Sequence, residues 1–168
     1  MHLPQIGYGT FYATDKVRLK AALHYAIEEC GIRSIDTVWS YFNQEIIGET
    51  LQEIFSKGII TRKDIFITSK LWNTHHRPDL VEKELLQTLH QLKLDYIDLF
   101  LIHTPASFKS IEVDENKKIT DDDAFPRDET GKIIIDDIHI LDTYRAMEAV
   151  QIKGLCRFIG VSNLNQIN

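Results

Sequence analysis

Cysteine is scarce in this 168-residue sequence, which contains only Cys30 and Cys156. The two residues lie far apart and form no CxxC pair. Thiols placed in this way are more typical of structural residues in a reducing compartment than of a disulfide. We therefore expect two structural thiols and a cytoplasmic protein.

Long apolar runs are absent as well. No stretch approaches the length of a membrane-spanning helix. Residues 1–10 also lack the charged start and apolar core of a signal peptide. These features predict a protein without a membrane partner.

Positive charge is in the minority, with 19 lysines and arginines against 25 aspartates and glutamates and a net charge of −6. This balance argues against general binding of nucleic acid or of an anionic membrane, although it leaves a local basic groove open. Hydrophobic residues make up 43% and charged residues 26%, which is usual for a globular chain and excludes disorder. The length suits one domain with a sizeable core.

Strand and helix patterns alternate along the chain. Strand patterns occur in LPQIGYGTF, in the segment that ends at Asp36, and in IFITSK, YIDLFLIH and RFIGVSN. Helical spacing predicts four helices between them. Asp15 caps the first, Gly58 closes the second, Pro78 begins the third and Gly154 ends the fourth. The alternation predicts a parallel sheet with right-handed crossovers, and hence an α/β fold.

The segment 104–135 is too long for a routine connection between a strand and a helix. It contains DENKKITDDD, in which Asp114 and Asn116 fit the first ligands of a calcium loop. Lys118 takes the third ligand position and Ile119 replaces the required turn glycine, so the calcium hypothesis fails. We expect a solvated, mobile loop, whose position makes it a candidate lid.

Polar or ionisable residues close four of the predicted strands. They are Asp36, Lys70, His103 and the pair Ser162 and Asn163. Each has an ordinary structural explanation by itself, as a loop cap, a solvated charge or a backbone partner. Because parallel strands end on one face, which in a closed barrel is the mouth that holds active sites, we expect these groups to converge. Their mixture of acid, ammonium, imidazole and amide indicates a functional site.

Tyr41, five residues after Asp36, adds a phenol to this set. A free phenol has a pKa of about 10 and is a weak acid at neutral pH. We expect the Lys70 ammonium, paired with Asp36, to lower that pKa, while the His103 imidazole donates a further hydrogen bond. The phenol can then protonate an oxygen that gains negative charge, as when a hydride adds to a carbonyl.

Five stretches, in order, resemble the motifs of the aldo-keto reductase family. They are LPQIGYGTF, IDTVWSYFNQEIIG, FITSKLW, DLFLIHTP and IGVSN, and they extend over nearly the whole chain. The resemblance implies a TIM (β/α)8 barrel, represented over residues 1–168 by about its first five strands and four helices. A whole barrel takes roughly 250 residues, so we expect further strands to carry most of the adenosine and phosphate contacts.

The same resemblance implies the chemistry. The protein would be an NADPH-dependent oxidoreductase that reduces aldehydes and ketones, with a small-molecule carbonyl substrate and no metal. Tyr41 would be its general acid, and Asp36, Lys70 and His103 would complete the catalytic tetrad.

Two binding surfaces follow from the resemblance. NADPH/NADP+ would contact Gly9, Thr10 and Asp36 near its nicotinamide ribose, and Ser162 and Asn163 would hold its carboxamide. The apolar substrate pocket would have residues 104–135 as its rim and would be lined by Phe11, Tyr41, Trp72 and His103. Ordinary core packing is the alternative for Phe11 and Trp72.

Other readings stay open. A non-catalytic binding or regulatory protein could keep the fold, although such a role would not require Tyr41, Lys70 and His103 together. His75 and His76 match no catalytic motif, so we expect them at the surface. Without the remaining strands the segment is expected to lack much of its cofactor site. We expect the full-length form to be a monomer, and the segment alone to self-associate through the open edge of its fifth strand.

Overall fold

Five parallel strands form a single open sheet, in which they follow one another in chain order. The computed structural model describes residues 3–110 and 120–165. Consecutive strands pair in parallel, which confirms the predicted α/β sheet. The strands are β1 Tyr8–Gly9, β2 Ser34–Asp36, β3 Phe66–Leu71, β4 Ile97–Ile102 and β5 Cys156–Val161.

Four longer helices lie between the strands, as predicted. They are α1 Lys16–His24, α2 Gln44–Ser56, α3 Pro78–Leu92 and α5 Ile140–Ile152. The helix α1 continues as a π-helical turn over Tyr25–Glu29, and a short helix, α4 Asp121–Ala124, precedes α5. The Asp15 carboxylate accepts hydrogen bonds from the amides of Val17 and Arg18 and so caps α1. Pro78 is the first residue of α3, where its missing N–H costs nothing.

The main core joins the sheet to the longer helices. Ile35 of β2, Ile67 of β3 and Phe100 of β4 are fully buried in one cluster with Leu23 of α1 and Leu85 of α3. All six residues of β3 are buried. The strand β4 is buried or half-buried throughout, as its continuous apolar run predicts.

The long connection between β4 and α5 is tethered by several contacts in its described residues, although residues 126–139 are exposed or half-buried throughout. The expectation of a solvated, mobile loop stays a prediction. Antiparallel bridges join Phe108 to Ile135 and Arg127 to Ile133. The Trp72 indole Nε1 donates to the carbonyl of Ala124 at 2.7 Å, and Ala124 is 0% exposed. Aromatic side chains in the loop supply the burial that holds it. The four positions on which the calcium hypothesis was rejected, residues 114, 116, 118 and 119, lie outside the described residues.

Both thiols are free, and only one is buried. Cys156 begins β5 and packs in the core, as a structural thiol should. Cys30 is exposed, because it follows the π-helical turn just before the chain reverses at Gly31. The expectation of two structural thiols is therefore wrong for Cys30.

The strand β5 forms one edge of the sheet in the described residues. Its Phe158 and Val161 side chains are 48% and 47% exposed. Apolar side chains beside unpaired strand backbone are an association risk. Self-association through this edge stays a prediction.

The helices α2 and α3 approach each other closely at Gly48. A Cβ at this position would lie 2.4 Å from the carbonyl oxygen of Gln91 and 2.6 Å from the carbonyl carbon of Leu92. Because both are backbone atoms, a side chain at residue 48 would have to push the two helices apart.

We expect Gly48→Ala to lower the free energy of unfolding by about 1–3 kcal/mol through overpacking. A loss of stability would be informative, because alanine is a better helix former than glycine by about 1 kcal/mol and helix propensity alone would therefore raise stability. Chemical denaturation measures the change. Glu49→Ala, at the adjacent exposed position, is the control and should alter stability by less than about 0.5 kcal/mol. Unchanged or increased stability of Gly48→Ala would contradict the close helix contact.

Candidate active site

The residues predicted at the strand ends meet at the carboxyl edge of the sheet. Asp36 ends β2, Lys70 is the last residue but one of β3, and His103 directly follows β4. Ser162 and Asn163 directly follow β5. Parallel pairing therefore brings together groups that are up to 127 residues apart (163 − 36 = 127).

Asp36 and Lys70 form an ion pair with a distance of 2.6 Å between Nζ and Oδ1. The Lys70 side chain is 9% exposed, whereas that of Asp36 is 44% exposed. Lys70 Nζ also donates to the carbonyl of Thr37 at 3.2 Å. An ammonium this deeply placed needs such partners, because an unpaired buried charge is costly.

Tyr41 lies on a single 3-10 turn, Trp39–Tyr41, that follows β2. Phe42 ends the turn in the left-handed region, with φ 55°. The Tyr41 ring centroid is 5.5 Å from Lys70 Nζ and 6.4 Å from the His103 ring centroid. Phenol, ammonium, carboxylate and imidazole thus form one cluster, as the sequence predicts.

Burial, followed by the nearby Asp36 carboxylate, raises the pKa of Tyr41 above its usual value of 10.0. The expectation that Lys70 lowers this pKa is therefore wrong for the protein without ligands. The physical reason is that the ammonium is bound to Asp36, whose negative charge opposes a phenolate. At neutral pH the phenol keeps its proton.

Burial lowers the pKa of His103 from 6.5 to about 4, with a further decrease from Lys70 and a partial increase from Asp36. The imidazole is consequently neutral at pH 7. The cluster thus contains one ion pair and two uncharged groups that can share protons.

The predicted cofactor residues lie beside this cluster. The backbone amide and the hydroxyl of the buried Thr10 both donate to the Asp36 carbonyl at 3.0 Å, which secures the end of β1. A Cβ at Gly9 would meet no atom within 4 Å, so the surface there is open. Asn163, with φ 55°, donates through Nδ2 to the His103 carbonyl at 2.8 Å and to Ser162 Oγ at 3.1 Å.

A cavity of about 590 Å³ opens above the cluster. All four residues predicted to bind substrate line it, namely Phe11, Tyr41, Trp72 and His103. Phe11 is 68% exposed, so core packing does not explain it. Trp72 both lines the cavity and packs in the interior. It is 7% exposed, and its ring lies 5.2 Å from the Phe125 ring, measured between centroids.

Four further residues that line the cavity were not predicted from the sequence, namely Tyr12, Thr14, Ser40 and Phe42. Tyr12 and Phe42 have positive φ values of 61° and 55°, which no sequence pattern indicates for aromatic residues. Tyr12 directly follows Phe11, and Ser40 and Phe42 flank Tyr41, so their closeness in sequence to predicted site residues is the signal that could have indicated them. Asp121 and Phe125 also line the cavity, and both belong to the segment 104–135 that was expected to form its rim.

A buried polar pair supports the backbone of Trp72. Both carboxylate oxygens of Glu84 accept from the Trp72 amide at 3.1 Å, and Glu84 Oε2 lies 2.9 Å from His75 Nδ1. The His75 ring also packs edge-on against Trp39 at 4.9 Å. The pair thus connects α3 to the floor of the cavity.

The expectation that His75 and His76 are surface residues is wrong, because they are 0% and 1% exposed. The turn that contains them lies under α3 and α5, where Thr143 Oγ1 donates to the His76 carbonyl at 2.7 Å. The polarity of the two histidines suggested that they are exposed, whereas the connection from β3 to α3 places them in the interior.

In residues 3–110 and 120–165, no group of three or more His, Cys, Asp or Glu side chains could hold a metal ion. No helix in the same residues is long and apolar enough to cross a membrane.

Comparison with known proteins agrees with this geometry. The sequence profile of the Aldo/keto reductase family matches residues 5–168. The chain belongs to the aldo-keto reductase family. Aldo-keto reductases are oxidoreductases that act on small-molecule carbonyl compounds and generally use NADP(H).

Two mammalian aldo-keto reductases illustrate the similarity. Aldo-keto reductase family 1 member C18 of Rattus norvegicus is 40% identical over 165 residues, which cover 98% of this chain and 48% of the relative. Member A1 of the same family from Bos taurus is 42% identical over 164 residues, which cover 97% and 47%. The chain spans about half the length of the curated relatives it matches.

Solved aldo-keto reductase structures agree with the fold. The aldose reductase from Schistosoma japonicum aligns with a TM-score of 0.86 and 38% identity over 99% of this chain and 52% of that protein. The aldose reductase from Giardia lamblia gives 0.85 and 37% over 98% and 51%. The five-stranded sheet therefore resembles a portion of the aldose reductase TIM barrel, as predicted.

One pH effect follows from the buried turn of this aldo-keto reductase chain. Burial, with His75 alongside, lowers the pKa of His76 from 6.5 to about 4. Between these pH values the unfolded chain binds a proton that the folded chain does not. Stability therefore falls as the pH decreases from 6.5 to 4, by at most about 3 kcal/mol from this residue.

His76→Gln should remove that part of the pH dependence, so its free energy of unfolding should vary less across this window. Denaturant unfolding at several pH values measures the slope. His90→Gln, at an exposed position of α3, should keep the slope of the original protein. If the two variants showed the same slope, the assignment to His76 would be refuted.

Proposed function

We propose that this chain carries the catalytic side chains of an NADPH-dependent oxidoreductase that reduces aldehydes and ketones to alcohols. The supporting observation is the Lys70–Asp36 ion pair, at 2.6 Å, beside Tyr41 and His103 on the floor of an aromatic cavity. A proton donor and a compensated positive charge at one apolar opening suit a reaction in which a carbonyl oxygen becomes an alkoxide.

Tyr41 is the proposed general acid. Its raised pKa keeps the proton on the phenol oxygen at neutral pH. The phenol gives up that proton when the substrate oxygen gains negative charge and becomes the stronger base. A positioned acid of this kind typically contributes about 10²–10⁴-fold to the rate.

Lys70 acts at the moment when the phenol loses its proton. Its ammonium lies 5.5 Å from the Tyr41 ring centroid and stabilises the phenolate that forms. Asp36 keeps this ammonium in place through the 2.6 Å contact. In this proposal Lys70 acts on the phenolate as it forms, instead of lowering the pKa of Tyr41 before substrate binds.

His103 orients the substrate oxygen. A neutral imidazole carries one N–H donor, and the lowered pKa keeps the ring neutral at pH 7. The ring can therefore hold the carbonyl oxygen beside Tyr41 without a second positive charge next to Lys70.

The ends of β1 and β5 fit the nicotinamide portion of the cofactor. Asn163 uses Nδ2 within the protein, which leaves its amide oxygen without a partner in the described residues and able to accept from a carboxamide. The open surface at Gly9 leaves room for a close approach. NADPH would supply the hydride, and we assign its nicotinamide end to Gly9, Thr10, Asp36, Ser162 and Asn163.

The described part of the loop between β4 and α5 is proposed as the rim of the substrate pocket, because Asp121 and Phe125 line the cavity. The net charge of −6 argues against general binding of nucleic acid, and the aromatic cavity supports a small-molecule carbonyl compound as the proposed partner. We further propose a cytoplasmic monomer as the working form of the whole protein.

In the whole protein, which includes the remaining barrel strands, Tyr41→Phe should reduce the rate of NADPH consumption with a reactive aromatic aldehyde by at least about 100-fold, because the proton donor is lost and the ring is kept. NADPH affinity, measured by fluorescence titration, should change less than about twofold. Tyr25→Phe, which removes an exposed phenol from the π-helical turn, is the control. Full activity of Tyr41→Phe would refute the acid assignment, and NADPH binding without any Tyr41-dependent reduction would favour the non-catalytic alternative.

Lys70→Met should lower kcat by a similar factor, since the phenolate would form without a neighbouring ammonium. The change keeps most of the side-chain volume, and Asp36 is exposed enough to be solvated alone. Lys63→Met, at an exposed position before β3, is the matched control. Steady-state kinetics at several pH values would test the role, and an unchanged kcat would remove Lys70 from the mechanism.

A further inference from the structure

The described residues that line the cavity above Tyr41 combine aromatic side chains with one carboxylate. Its aromatic lining comprises Phe11, Tyr12, Tyr41, Phe42, Trp72 and Phe125. Asp121 is the one aspartate or glutamate among the described lining residues, and no lysine or arginine joins it there. The aromatic part agrees with an apolar substrate, whereas the carboxylate does not.

The negative charge of Asp121 has no partner in the part of the chain that the structure describes. No hydrogen bond or ion pair to its carboxylate occurs there, in contrast to the Asp36 carboxylate bound by Lys70. The His103 imidazole is neutral at pH 7, since its pKa lies at about 4. Among the described residues, the lining of the cavity therefore presents one negative charge without a compensating positive charge.

The aromatic rings of the cavity also favour a positively charged group. Aromatic faces carry a negative quadrupole, and a cation within about 6 Å of a ring centroid is attracted to it. Two pairs of packed rings line the cavity, because Phe11 packs on Tyr41 at 5.0 Å and Phe125 packs on Trp72 at 5.2 Å. A carboxylate among aromatic rings is a suitable environment for an ammonium group.

We propose that this cavity selects carbonyl substrates that carry a positively charged ammonium group away from the carbonyl, and that Asp121 is the residue that determines this specificity. The inference rests on the proposed carbonyl reduction and adds its substrate class. Asp121 comes from the loop after β4, whereas Tyr41 lies on the 3-10 turn after β2 and His103 directly follows β4. Asp121, which would bind the ammonium group, is thus separate from Tyr41 and His103, which would contact the carbonyl oxygen.

The test compares two aldehydes of nearly equal shape. para-Trimethylammonio-benzaldehyde carries a permanent positive charge, and para-tert-butyl-benzaldehyde is its neutral counterpart. The protein should show a kcat/KM for the cationic aldehyde that is about 5- to 50-fold higher. Raising the salt concentration should reduce the ratio, because exposed charges are screened. para-Carboxy-benzaldehyde should be the poorest substrate of the three.

Two variants test whether the preference for the cationic aldehyde comes from Asp121. Asp121→Asn should reduce the cationic-to-neutral ratio about two- to fivefold. Asp122→Asn removes an exposed carboxylate from the next position, which is not among the cavity-lining residues, and should keep the original ratio. A ratio at or below one in the original protein, or an equal ratio in both variants, would overturn the proposal.

A binding measurement separates this inference from the proposed function. Calorimetry with the two corresponding benzyl alcohols, which need no turnover, should show the same preference and the same dependence on Asp121. Reduction of the neutral aldehyde without any charge preference would leave the reductase function standing and overturn the inference. If neither aldehyde is reduced, tighter binding of the cationic alcohol supports the charge selection, and equal binding of the two alcohols overturns it.

Discussion

Parallel pairing of the five strands is the constraint on which the candidate site depends. In this pairing Asp36 lies opposite Thr68, and Lys70 lies opposite Leu101. Because the strands run the same way and end at one edge, side chains 34 residues apart in sequence meet at 2.6 Å. A slip of one residue would turn Lys70 to the other face of the sheet and separate it from Asp36. The fully buried β3 resists such a slip, since both of its faces are packed.

Burial then decides the charge states at this edge. The ammonium and the carboxylate stabilise each other, while burial raises the pKa of Tyr41 and lowers that of His103. The resting cluster therefore holds one ion pair and two neutral groups. In the proposed reaction the acidity of Tyr41 arises when the substrate oxygen becomes basic, and no phenolate has to exist beforehand. The ion pair stays available to stabilise the phenolate that forms.

The loop between β4 and α5 both holds Trp72 and lines the cavity. Its Ala124 carbonyl accepts from the Trp72 indole, and its Phe125 ring packs on the same residue. From beneath, Glu84 holds the Trp72 backbone. Trp72 is thus fixed from two sides, and the loop that fixes it also brings Asp121 to the cavity. Under the proposed function, changes in this loop would alter substrate preference and leave Tyr41, Lys70 and His103 in place.

Local patterns in the sequence were sufficient for the strands, the four longer helices and the edge at which the polar residues meet. Apolar periodicity, the Asp15 cap and Pro78 act within a few residues, so they can be read without knowing what lies nearby in space. Tertiary structure alone decided that His75 and His76 are buried, that Cys30 is exposed and that the described loop is tethered. It also decided that the pKa of Tyr41 rises. These properties depend on packing and charge from residues distant in the chain, and no local pattern records which distant atoms will be neighbours.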